Sequence, residues 1–213
     1  MTESRSKGLV LNNVAIRDHE RELFCIDATV RPGEVLTVMG PSGSGKSTLL
    51  NLVSGFLPPA FSYTGRVLLD GVDITQAPPE ERHVGLMFQD PLLFPHMSVE
   101  DNLLFALPKD GGKDERCQKV RAALAAVNME ELGARDPMTL SGGQQSRISL
   151  IRLLLSEPKA LLLDEPFSAL DSGLKGKVRD FVFSQAQQRQ LPTILVTHDE
   201  ADAQRAGGNI ITI

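Results

Sequence analysis

The sequence predicts an α/β fold: a parallel sheet with crossover helices, an N-terminal antiparallel β subdomain, and an inserted α-helical subdomain over roughly residues 90–157. Three observations carry this reading. Short aliphatic runs at Val35–Met39, Ala160–Leu163 and Thr193–Thr197 alternate with helix-periodic stretches, which is the pattern of a parallel sheet closed by crossovers. Gly8–Ile16 and Leu23–Val30 read as a β pair across the charged turn Arg17-Asp18-His19-Glu20-Arg21. From Ser98 to Leu155 the periodicity is helical.

The elements follow in order. After Pro32-Gly33, the strand Val35–Met39 runs into the glycine-rich GPSGSGKST at 40–48, then into a helix over Leu49–Phe56. Gly65–Asp70 reads as a strand ending in the turn Asp70-Gly71, and Val84–Phe88 fits a buried strand. Ser98, with Asp101 three residues on, starts the helical region, which contains the alanine-rich Val120–Val127. Pro108–Arg116, carrying Gly111-Gly112, is the expected flexible stretch. Then come the strand Ala160–Leu163, a helix over Gly173–Arg189, the strand Thr193–Thr197, a helix over Asp199–Arg205 and a last strand, Asn209–Ile213.

At 213 residues the chain can bury a full core without disulfides or metal staples, and a single domain over 1–213 is expected. Hydrophobic residues at 41% and charged residues at 23% exclude a disordered or coiled-coil chain. A net charge of −5 with scattered Lys and Arg gives no footprint for a phosphate backbone, which excludes nucleic acid as a partner. Cys25 and Cys117 lie far apart without metal-ligand spacing, so reduced thiols in the cytoplasm are expected. The N-terminal MTESRSKGLVLNN has no apolar stretch of leader length, and no run approaches the roughly 20 apolar residues that span a bilayer. Any membrane role is therefore expected to pass through a partner.

Gly40, Pro41, Ser42, Gly43, Ser44, Gly45, Lys46 and Ser47 spell G-x-x-x-x-G-K-S between a predicted strand and helix. Glycines let backbone N–H groups turn inward around phosphates, and the helix N-terminus adds its positive dipole end. Lys46 is placed to reach the terminal phosphates and Ser47 to ligate Mg²⁺, with Thr48 completing the nucleotide-binding run. The core is thus expected to be of the P-loop NTPase type. Asp164 and Glu165 close the aliphatic strand, at the edge where open α/β sheets bind ligands. Strand alternation sends their side chains to different sides, so Asp164 is assigned to the metal and Glu165 to the water that attacks the γ-phosphate.

The segment Leu140-Ser141-Gly142-Gly143-Gln144 resembles the signature of ATP-binding-cassette (ABC) ATPases. The rest of that family's set follows in order: Gln89 after a strand, the signature, Asp164-Glu165, Ser168-Ala169-Leu170-Asp171, and His198 after a strand. Alone, SGGQ reads as a helix N-cap with glycines, and His198 or Gln89 as structural. The resemblance implies a head-to-tail homodimer holding ATP and Mg²⁺ between one copy's P-loop and the other copy's Ser141, Gly142, Gly143 and Gln144. It implies that Glu165, His198 and Gln89 act in catalysis, that Ser47, Gln89 and Asp164 serve the metal, and that Asp171 organises the dimer interface. It also implies a transmembrane permease, a substrate-binding protein, and a place at the inner face of the membrane. Asp90–Phe105 resembles the importer type, with Leu92, Leu93, Phe94 and Met97 expected to form an exposed docking patch.

Two features depart from the family pattern. Asp18 stands where an aromatic ring normally stacks on adenine, with His19 or Arg17 as planar substitutes. The family also continues past its last strand with a hairpin, whereas the sequence ends at Ile213. Only about 90 residues separate Ser47 from Leu140, which excludes the long coiled coil of DNA-repair and chromosome relatives. The expected function is ATP hydrolysis that powers solute transport, and the alternative is a regulatory ATPase driving a membrane partner without moving a solute.

Overall fold

β1 (Leu9–Asp18) and β2 (Arg21–Val30) form the expected antiparallel pair. The connecting turn is reduced to His19-Glu20, because both strands run on into the charged residues. The computed structural model describes residues 7–213, so the leader-free reading of the first residues falls partly outside it. Along β1, Leu9, Leu11, Val14 and Ile16 are fully buried, and the alternation is broken once by a bulge at Asn12-Asn13. A second register shift pairs Ile16 with Phe24 but Arg17 with Glu22, which leaves Leu23 as the extra residue on β2. β4 (Phe61–Leu69) begins earlier than expected, and β5 (Val72–Asp73) is too short to show a period. These strands form a sheet ordered β2-β1-β4-β5.

The second sheet runs β6-β7-β8-β3-β9, built from β3 (Val35–Met39), β6 (Val84–Met87), β7 (Ala160–Asp164), β8 (Thr193–Val196) and β9 (Asn209–Thr212). The pairs β7–β8, β8–β3 and β3–β9 are parallel, as the alternation of strands and helices implies. One face of it, carrying Leu36, Val38, Ala160, Leu162, Ile194 and Val196, joins a single core with Leu9, Leu11 and Ile16 of the first sheet and with Leu49, Leu50 and Val53. Those last three belong to α1 (Lys46–Ser54), which starts at Lys46 rather than Leu49 because the loop glycines lead directly into helical backbone. The far end of α1 is held by the buried Arg82, which donates to Leu52 O (2.7 Å), Val53 O (3.0 Å), Thr75 O (2.8 Å) and Ala77 O (2.7 Å).

The chain divides into two compact units. The first holds both sheets and comprises the residues up to 86, 158–165 and 184–213; the second comprises 87–157 and 166–183. In the second, α2 (Val99–Ala106), α3 (Lys113–Ala125) and α4 (Gly142–Leu155) enclose a core that includes Val99, Leu103, Val120, Leu124, Ile148 and Ile151. Ser98 caps α2 by accepting from Asp101 N (3.0 Å), the start signal read in the sequence. The last four residues of the stretch 108–116, expected to be flexible, are instead helical: α3 begins at Lys113 and Arg116 donates to Leu104 O (2.7 Å), tying α3 to α2. α5 (Ser172–Gln188) and α6 (Glu200–Ala206) complete the elements. Among the described residues no helix is long and apolar enough to cross a membrane.

Candidate functional site

Within the first unit the carboxyl ends of β3, β7 and β8 lie side by side, with β8 between the other two. This edge gathers Gly40–Thr48, Asp164, Glu165 and His198, so the loop, both carboxylates and the histidine come together as the sequence predicts. Gly45 precedes α1 with φ +97, and a Cβ there would lie 2.9 Å from Phe24 Cε1 and 3.1 Å from Leu23 Cδ1. Only glycine fits that close approach. The bulge that leaves Leu23 unpaired thus brings its side chain against the phosphate loop, a placement set by strand register and invisible in the sequence.

Lys46 is buried, and its Nζ donates to Gly40 O (2.9 Å) and Pro41 O (2.7 Å) of its own loop. The loop is therefore folded around the ammonium group. Asp164, the last residue of β7, is buried and accepts a hydrogen bond from the Ser47 side chain. Burial pushes its carboxyl above the usual range, the Ser47 bond and Lys46 lower it, and Glu165 raises it further. An excess of carboxylate charge beside a serine hydroxyl is a donor set of hard oxygens, which suits Mg²⁺ completed by phosphate and water. Among the described residues no group of three or more His, Cys, Asp and Glu could hold a metal by itself.

Glu165 departs from the expected strand alternation. The strand ends at Asp164, and Glu165 takes a left-handed conformation with φ +47 while its N–H donates to Val196 O (3.0 Å). Glu165 is thus placed by a backbone turn rather than by the strand pleat. His198, just past β8, places Nδ1 2.7 Å from Glu165 Oε1. A carboxylate accepting from Nδ1–H leaves Nε2 for a second partner.

The second unit holds the other predicted residues. Gln89 follows β6 and is exposed. Ser141 caps α4 in a capping box: its Oγ accepts from Gln144 N (3.3 Å) and Gln144 Oε1 accepts from Ser141 N (2.9 Å). The hydroxyl hydrogen of Ser141 remains available to an outside acceptor. Gly142 and Gly143 supply the first helical N–H groups, and a Cβ on Gly143 would lie 2.9 Å from Ala169 O. Arg147, unnoticed in the sequence, donates to Val127 O (3.0 Å), and its guanidinium is desolvated with Asp171 offsetting part of the cost. The signature and the Ser168–Asp171 turn are thus packed together. Of the expected docking patch only Leu92 is exposed; Leu93, Phe94 and Met97 are half-buried, with Leu93 packed on the helical core and Asn102 clasping Phe94 through both N–H (2.8 Å) and C=O (3.1 Å). Phe105, edge-on to Phe94 at 5.1 Å, is 64% exposed and joins Leu92 at this surface.

The sequence profile of the ABC transporter family matches residues 23–168. The chain belongs to that family. This ABC cassette is 45% identical over 195 residues to the uncharacterised ABC transporter ATP-binding protein YnjD of Escherichia coli, covering 91% of the chain and 90% of YnjD. It is also 45% identical to the spermidine/putrescine import ATP-binding protein PotA of Oleidesulfovibrio alaskensis, covering 84% of the chain but 47% of that longer protein. The dimeric structure of the bacterial ABC transporter cassette MJ0796 superposes with a TM-score of 0.81 at 30% identity, covering 96% of the chain and 94% of MJ0796. The ABC fold of antiparallel sheet, parallel sheet and helices is therefore the one the sequence predicts.

Proposed function

We propose that the chain is the ATP-binding and ATP-hydrolysing subunit of a membrane ABC importer, working over 1–213 as one domain with its helical subdomain at roughly 90–157. The observation that supports this most is the grouping of Lys46, Ser47, Asp164, Glu165 and His198 at one sheet edge, with Glu165 and His198 in direct contact. Lys46 exchanges its loop carbonyls for β- and γ-phosphate oxygens, and the amides of residues 40–48 hold the rest of the triphosphate. Ser47, Asp164 and Gln89 serve Mg²⁺, which supplies charge neutralisation on the phosphates. Glu165 orients and polarises the attacking water, and His198, steadied through Nδ1, offers Nε2 to the γ-phosphate.

Two copies bind head to tail, so that Ser141, Gly142, Gly143 and Gln144 of each donate to the ATP of the other and Asp171 lines their contact. ATP binding closes this homodimer and hydrolysis reopens it. Leu92 and Phe105 face a cytoplasmic segment of a transmembrane permease, placing the chain at the inner face of the membrane, while a substrate-binding protein delivers the solute. The test is copurification with a permease followed by ATP-dependent solute uptake into proteoliposomes. Uptake that Glu165→Gln abolishes without dissolving the complex supports the reading; ATP hydrolysis by an intact complex with no solute moved overturns it in favour of a regulatory ATPase.

A further inference from the structure

The sheet face opposite the main core carries a polar cluster that the roles above leave unused. Thr197, between β8 and His198, is fully buried, and its Oγ1 accepts from Asp199 N (3.0 Å). The same hydroxyl reaches Asp202 Oδ2 at 3.5 Å, and Asp202 on α6 is only 2% exposed. The backbone repeats the tie: Thr197 N donates to Val38 O (3.3 Å), and Asp202 N and Ala203 N both donate to Asp199 O (3.1 Å each). Residues 197 and 199 are thus both fixed from beneath, whereas the ring of His198, between them, is largely in solvent, its side chain 71% exposed. A ring that exposed gets little orientation from packing; its direction comes from the backbone that carries it.

We propose that Thr197 and Asp202 are positioning residues for hydrolysis, holding the backbone of His198 so that Nδ1 stays on Glu165. The hydroxyl is the working part: it accepts from the residue after His198 while donating to a carboxylate on the following helix. A buried carboxylate is costly unless its hydrogen bonds are made. Asp202 therefore fixes the rotamer of Thr197 as much as Thr197 fixes the loop. This rests on the reading of Glu165 and His198 as catalytic residues, and the experiment separates the two.

Steady-state ATP hydrolysis is measured for Thr197→Val, Thr197→Ser and Asp202→Asn, each alone and in a His198→Ala background, on the subunit with its membrane partner. Thr197→Val removes the hydroxyl at nearly constant shape. We expect kcat to fall about tenfold with KM for ATP unchanged, since a displacement of an ångström in a supporting shell costs rates of this order or more. Thr197→Ser should restore most of the loss, and neither Thr197→Val nor Asp202→Asn should lower turnover further once His198 is gone. Losses that multiply in the His198→Ala background, or a full-speed Thr197→Val enzyme, overturn the proposal. Full activity of His198→Ala alone overturns the underlying catalytic reading instead. If Asp202→Asn does not fold, the valine and serine pair at 197 still decides.

Discussion

Glu165 Oε1 lies 2.7 Å from His198 Nδ1, and it does so from a backbone held at φ +47. A left-handed glutamate is uncommon, and here its carboxylate meets the histidine just past β8 while its charge still acts on Asp164. Two neighbouring acids thereby acquire two surroundings, one facing Ser47 and one facing a histidine.

Glu165→Gln should keep ATP binding and reduce turnover by roughly 10²-fold or more, because the amide preserves size and the bond to His198 but cannot polarise water. The variant should accumulate as an ATP-bound dimer in size-exclusion chromatography. Turnover near wild type would remove Glu165 from the catalytic role.

Lys46→Ala should lower nucleotide affinity and activity together. The ammonium group holds Gly40 O and Pro41 O as well as reaching for phosphates, so its loss also leaves loop carbonyls without their donor. Isothermal titration alongside kinetics checks this; unchanged binding with a lower kcat contradicts it.

Asp164→Asn should raise the melting temperature of the nucleotide-free protein at neutral pH, by about 2–4 °C for each kcal/mol in a chain of this size. The sign follows from the raised carboxyl of Asp164: the native state holds its proton more tightly than the unfolded state, so stability falls as pH rises from the ordinary carboxylate range through the native value. The gain from asparagine should accordingly shrink as the pH is lowered toward that range. A melting temperature lowered by the substitution at pH 7 would falsify the assignment of burial as the dominant cause.

Gly143→Ala should leave ATP binding by the single copy intact and weaken ATP-driven dimerisation, because the new methyl meets the Ala169 carbonyl at 2.9 Å and pushes apart the signature and the Asp171 turn. Dimer formation is read best in the Glu165→Gln background. An undiminished dimer there rules out that coupling.

Asp18 ends β1 half-exposed, with the His19 ring 3.8 Å away, so the expected stacking position itself carries a carboxylate. ATP should therefore be preferred over GTP by less than about tenfold, or roughly 1.4 kcal/mol. Asp18→Tyr should tighten ATP binding by about 1 kcal/mol through base stacking. Competitive titration of the two nucleotides on both proteins decides it; strong selectivity in the wild type would point to His19 or Arg17 as the group covering adenine.

The sequence made most of this architecture legible, because the buried strands are mostly aliphatic: Val35–Met39 was readable to the residue, and β7 and β8 to within one. The phosphate loop and the Ser141 cap were legible for a different reason, since both are local devices written in consecutive residues. What stayed hidden depends on contacts made far away in the chain. Leu23 looks like any apolar strand residue until the register shift strands it, and β5 exists only because β4 is there to pair with. The half-burial of Phe94 comes from Asn102, which bonds its backbone from eight residues away, and from Phe105 and Arg152, which lie against its ring.

The four bonds from Arg82 carry a consequence for folding. A helix of nine residues, the length of α1, is too short to persist alone in water. Its C-terminal carbonyls are capped locally by the N–H groups of Gly55 and Phe56, but Leu52 O and Val53 O gain the Arg82 guanidinium only once the chain has passed through β4 and β5 and delivered residue 82 beneath the helix. The phosphate loop at the opposite end of α1 should then gain its shape late, in the same cooperative event that closes the β subdomain. In native-state hydrogen exchange, amides of Leu49–Val53 and of β4 would open together, with one common free energy.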